Sequence, residues 1–173
     1  MSIGPGSFTG LRIGLSVAKG LAYAAEKPLV AVPTLRAIAE RAARESVGEI
    51  PNTILPLLDA RKDEVYCQLF ERQGSAVRPA WEERDMTLAA LADLVAQTNV
   101  LITGEAAPRL RAIVTMGRRP GRPSAVFAPP EIARCSAAVV AMIGEQMLAE
   151  GKSADPRDLE PRYIKEFFLK TQR

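Results

Sequence analysis

Gly4-Pro5-Gly6-Ser7-Phe8-Thr9-Gly10-Leu11-Arg12-Ile13-Gly14 runs from a Gly/Pro loop straight into a helix, and the chain is best read outward from it. Ser7 is a good N-cap, because its side-chain oxygen can accept from a free amide of the first turn. The helix it opens extends to Glu26 and is stopped by Pro28, which has no amide proton to donate. Along it Gly10, Gly14, Ala18 and Ala22 recur every four residues, which sets four small side chains in one row. Such a row lets a second helix approach to the short end of the interaxial range of roughly 8–10 Å. The expected use of this seam is another helix, in the same chain or in a partner, with Phe8, Leu11 and Leu15 beside it.

Composition narrows the possibilities. With 173 residues, 47% hydrophobic and 25% charged, the chain suits one domain or two small lobes with a buried core, not disorder. No apolar run approaches the roughly 20 residues of a membrane span. The start lacks a basic, apolar leader pattern, so a cytoplasmic location is expected. Cys67 and Cys135 have no CxxC partner and read as buried free thiols. The chain has no histidine, which excludes Ser-His-Asp, Cys-His and His-zinc mechanisms. A net charge of +3 leans only weakly toward anionic partners. The basic cluster Arg118-Arg119-Pro120-Gly121-Arg122 has no interleaved aromatic and reads as a solvated loop, with phosphate contact the alternative.

Residues 29–32 read as a short buried strand, and Thr34 as the cap of a second helix with Leu35, Ile38, Ala39 and Ala42 on one side. Residues 45–52 are the best linker, dividing the chain at 1–50 and 51–173. Strands are expected at 53–58, 64–70 and 76–81, then a helix capped by Thr87 carrying Leu88, Leu91, Leu94 and Val95. A strand at 100–103, a helix at 108–116, a strand at 125–127 and a long helix at 132–150 closed by Gly151 complete the order βββαβαβα. On that last helix Ala137, Ala138, Val140, Ala141, Met147 and Leu148 form the expected core side. The tail offers Tyr163, Ile164, Phe167 and Phe168 for docking.

The opening motif, with Ala18-Lys19-Gly20-Leu21-Ala22, resembles the hallmark of the bacterial TsaB (YeaZ) family. Asp59-Ala60-Arg61-Lys62-Asp63-Glu64-Val65-Tyr66 and Glu160-Pro161-Arg162-Tyr163-Ile164 agree with it. The resemblance implies the α/β actin-like/sugar-kinase (ASKHA) fold of two related lobes. Here the second lobe is complete and the first is reduced to its final α-β-α, through a deletion or an assumed start within a longer reading frame. It also implies a non-catalytic subunit of the machinery that makes threonylcarbamoyladenosine in tRNA. The implied partners are a TsaD-type catalytic subunit and, through that pair, a TsaE-type ATPase, with tRNA reached only indirectly. Without the partner, the seam Phe8, Gly10, Leu11, Gly14, Leu15, Ala18 and Ala22 suits a homodimer.

Chemistry-bearing stretches read poorly as active sites. Leu11-Arg12 follow Gly10 where a phosphate loop needs Lys and Ser/Thr. Thr34 and Ile38 stand where catalytic members of the superfamily are expected to place metal-binding histidines. Ala60 and Arg61 crowd the turn that kinase-like relatives leave bare for phosphate, and Asp59 is expected to cap its own turn. In Thr103-Gly104-Glu105-Ala106-Ala107-Pro108, Glu105 replaces a glycine of the adenosine loop. Glu82-Glu83 and Asp63-Glu64 are sequence neighbours, so on a strand they point to opposite faces. No cofactor, metal or catalytic residue is therefore expected. The rival readings are a small ASKHA-type kinase or nucleotide hydrolase with an unrecognised site, and a tRNA-binding module.

Overall fold

A computed structural model describes residues 1–116 and 125–164 of the protein. The basic cluster at 118–122 and the tail residues Lys165, Phe167 and Phe168 lie outside the described residues. Helix α1 spans Phe8–Ala24 and α2 spans Thr34–Glu45. The sheet that follows is centred on β1, Thr53–Asp59, whose residues alternate between two buried faces. Ile54 and Leu58 pack with Leu35, Ile38, Ala39 and Ala42 of α2. Leu55 and Leu57 face α3 (Leu88–Val95) and α4 (Ala107–Met116) through Leu88, Leu91 and Leu110. This period of two makes β1 the middle layer of a helix–sheet–helix sandwich.

Along β1 run β2 (Glu64–Cys67) and β3 (Phe70–Gln73), both antiparallel, with β6 (Leu101–Thr103) parallel to it and β7 (Val126–Phe127) beyond β6. The expected strand at 64–70 is thus interrupted at Gln68, whose buried side chain turns away to donate to the Trp81 carbonyl at 3.0 Å. The strand at 76–81 is shorter, β4 at Ala76–Pro79. An unexpected β5, Arg84–Thr87, pairs with β2 from Glu64↔Thr87 to Cys67↔Arg84. Its residues Arg-Asp-Met-Thr lack apolar alternation, so nothing local announced it. Even with β2 and β3 joined, one strand more than the expected three precedes α3; from α3 onward the mixed α/β order is the expected one.

Other expectations need correcting. Residues 29–32 form only isolated bridges, Leu29↔Ala154 and Ser2↔Val32. The long last helix divides into a 3-10 turn, Pro130–Ile132, and α5, Ala137–Ala149, because Ser136 is extended at φ −109 and ψ 130. Gly151 does close α5, at φ +76. The buried side of α5 is Val139 and Ile143, with Val140 and Met147 against the same cluster. Ala137, Ala138, Ala141 and Leu148 are exposed, and so are Leu94 and Cys135.

Gly104 turns the chain from β6 into α4 at φ +97, with its backbone pressed on β1. A Cβ there would stand 2.6 Å from the Leu57 nitrogen. Gly104→Ala should therefore lower unfolding free energy by about 3 kcal/mol, through positive φ and backbone overlap. Gly20→Ala, in the open interior of α1 with nothing within 4 Å, should raise it by about 1 kcal/mol. Urea unfolding of both variants checks the contrast.

Candidate functional site

Ser7 Oγ accepts from the Gly10 amide at 3.3 Å, so α1 starts as its sequence indicates. The small-residue row does not stay on one side, however. At 3.6 residues per turn each four-residue step advances about 40°, so from Gly10 to Ala22 the row turns through about 120°. Its far end is internal: Leu15 and Ala22 are 6% and 8% exposed and pack with Leu29, with Met1, Ala18 and Leu159 around them. Its near end is open, since Gly10 and Gly14 are exposed and nothing lies within 4 Å of a Cβ placed on Gly14. Leu11 turns inward onto Gly4 and Gly6, and the Phe8 ring meets Tyr163 at 5.3 Å.

The seven residues expected at a partner interface are thus divided between two sides of the helix. Leu15 and Ala22 are taken up by the chain's own fold, and Phe8, Leu11 and Ala18 are half-buried. Gly10 and Gly14 look outward. Beside them stand three apolar side chains that the sequence reading passed over: Ile13, Val17 and Leu21, 61%, 57% and 67% exposed. Their own four-residue spacing was a usable signal, masked by the glycines and alanines next to them.

The remaining candidate positions are engaged in structural contacts. The Gly4 amide donates to Thr34 Oγ1 at 3.1 Å, and the Thr34 amide returns to the Gly4 carbonyl at 2.8 Å. Thr34 Oγ1 also lies 2.6 Å from Ser2 Oγ. Its hydroxyl is therefore not the helix cap that was expected; α2 begins after Pro33 without a side-chain cap. Ile38 is fully buried against the sheet. Asp59, expected to cap its own turn, instead accepts on Oδ1 from Arg109 Nη1, while Arg109 Nη2 donates to the Lys62 carbonyl. Among the described residues no three Cys, Asp or Glu side chains gather as metal ligands would. Burial pushes the Cys67 thiol up to about 12, which keeps it from forming a thiolate near neutrality.

One of the carboxylates set aside as a catalytic pair with its neighbour is buried. Glu83, in the β4–β5 connection, has a side chain only 4% exposed and pairs with Arg162 of the tail. Burial holds its carboxyl above the ordinary carboxylate range, and Arg162 offsets that only in part.

These features sit in a chain with clear relatives. Residues 1–156 match the family model described as TsaD, tRNA N6-adenosine threonylcarbamoyltransferase, which places the protein in that broad class. Within it, the chain belongs to the TsaB (YeaZ) family. It is 31% identical over 165 residues to the tRNA threonylcarbamoyladenosine biosynthesis protein TsaB of Escherichia coli, covering 94% of this chain and 68% of that protein. The TsaB protein of Bacillus subtilis is 33% identical over 86 residues, 50% of this chain and 35% of that one. Among solved structures, YeaZ from Pseudomonas aeruginosa superposes with a TM-score of 0.71 at 28% identity, covering 94% of this chain and 71% of that chain. A Pseudomonas aeruginosa protein with similarity to the peptidase YeaZ gives 0.74 at 28% identity, covering 95% and 71%.

The Glu83 environment sets a pH dependence. A carboxyl whose folded pKa lies above its unfolded value of 4.5 stabilises the fold most below that value. The contribution is lost as pH rises through the folded pKa. Glu83→Gln, neutral throughout, should therefore gain stability relative to the parent as pH rises from the acid side toward neutrality. Urea unfolding of both proteins at pH 4.5, 5.5 and 7 (values chosen on the carboxylate range) checks this; a difference that moves the other way contradicts it.

Proposed function

We propose that this chain is a non-catalytic scaffold subunit in the synthesis of N6-threonylcarbamoyladenosine in tRNA, docking a TsaD-type catalytic subunit through the outward face of α1. The observation that carries the reading is the apolar ridge of Ile13, Val17 and Leu21, bordered by bare Gly10 and Gly14. A ridge of this kind in water favours burial against another apolar helix, and the glycines let that helix come close. The TsaB relatives carry names tied to the same biosynthesis. The finer architecture we assign is the actin-like one, with residues 1–50 belonging to a first lobe and 51–173 to a second. A TsaE-type ATPase joins the pair, tRNA is met through the complex, and the work is done in the cytoplasm. No helix among the described residues is long and apolar enough to cross a membrane.

The absence of catalysis in this reading rests on occupied positions. At Asp59 a metal would meet the Arg109 guanidinium already paired with Oδ1, and an anion at the Gly4 amide would have to displace Thr34. The rival, a small kinase or nucleotide hydrolase, predicts micromolar ATP binding with magnesium by the chain alone; the scaffold reading predicts none by calorimetry.

Solution mass, with and without a TsaD-type subunit, tests the docking face. The structure chooses clean variants: Gly14→Leu and Val17→Glu alter exposed positions, whereas Ala22→Leu would disturb the chain's own packing. Each of the first two should weaken association by about a hundredfold or more while leaving unfolding within about 1 kcal/mol of the parent. Unchanged association in both removes α1 from the interface.

A further inference from the structure

The tail reaches the start of α1 from three directions. The Arg162 amide donates to the Ile3 carbonyl at 2.8 Å, and the Arg162 carbonyl oxygen lies 2.5 Å from where a Cβ on Gly4 would stand. The Arg162 guanidinium pairs with the buried Glu83 carboxylate across the chain. The Tyr163 ring stands 5.3 Å from Phe8, and its hydroxyl accepts from Arg12 Nε at 3.0 Å, while the Arg12 guanidinium lies 4.0 Å above the Phe8 ring. One turn earlier in the tail, Leu159 packs on the cluster of Leu15, Ala22 and Leu29.

α1 has little else to hold it. Only Leu15 and Ala22 of its seventeen residues are buried. A helix with so small a buried stripe is a candidate for local opening at a free energy well below that of global unfolding. We propose that residues 159–163 are a strap that fixes the N-terminal half of α1 against the β4–β5 connection, with Arg162 and Tyr163 as positioning residues. Glu83 acts on the helix through Arg162. The consequence for a partner rests on the docking reading above; the strap itself does not.

Hydrogen exchange on the whole free chain tests it. Arg162→Ala alone would strand the Glu83 charge in a buried site and destabilise more than the strap. The double variant Arg162→Ala with Glu83→Gln removes that charge, and Tyr163→Ala loosens the strap without touching it. In both, amides of α1 should exchange about tenfold faster or more, while β1, β6 and α3 change by less than about twofold. Unchanged α1 exchange in both variants overturns the strap, as does a uniform increase across the sheet. Binding of a TsaD-type subunit is then measured on the same variants. A tenfold rise in a rare opening leaves α1 almost wholly formed, so faster α1 exchange keeps the strap whatever the binding result, while docking through α1 is read separately from Val17→Glu, and the two failures are distinguishable.

Discussion

The backbone of Gly4 has no spare room, and the position of α1 follows from that. Its φ of +121 is one that side chains rarely adopt, its amide and carbonyl are both engaged by Thr34, and the Arg162 carbonyl occupies the space a Cβ would need. The loop is thus tied to α2 on one side and to the tail on the other. α2 is a firm anchor, because it packs on the sheet through Leu35, Ile38, Ala39 and Ala42 and on the α5 cluster through Ala37. Even its buried Glu40 is satisfied within the helix, by Arg36 at 3.0 Å and Arg44 at 3.4 Å. A helix launched from such a point has its inner side chosen for it. What remains outside is the face with Ile13, Val17 and Leu21.

The same economy governs the positions where related proteins are expected to do chemistry. Thr34 holds Gly4, Asp59 holds Arg109, and Gly104 lets the β6–α4 turn close on Leu57. Each contact is between groups of this chain.

Much of this was legible from residues alone, for reasons that are local. Ser7 and Thr87 announced their helices because an N-cap acts within three residues, and Thr87 Oγ1 does accept from Ala90 at 3.2 Å. Gly151 announced an end for the same kind of reason. The α/β order from α3 onward followed from helical periodicity and short apolar runs. What failed was whatever depends on how distant segments meet. Periodicity shows that α5 has an apolar side but not which apolar residues the rest of the chain will cover, so Ala138, Ala141 and Leu148 were assigned inward and lie outward. The glycine-alanine row looked straight on paper and precesses on a real helix. Asp59 with Arg109, and Glu83 with Arg162, join residues far apart in sequence, and no spacing rule reaches that far.

The central claim is that the outward face of α1 is where a catalytic partner sits. A photo-crosslinking residue placed at position 17, and at exposed Ile113 on α4 as a control, reads this directly in the presence of a TsaD-type subunit. The account predicts a covalent heterodimer from position 17 and none from position 113. Capture from 113 alone, with position 17 left unreacted, would contradict it.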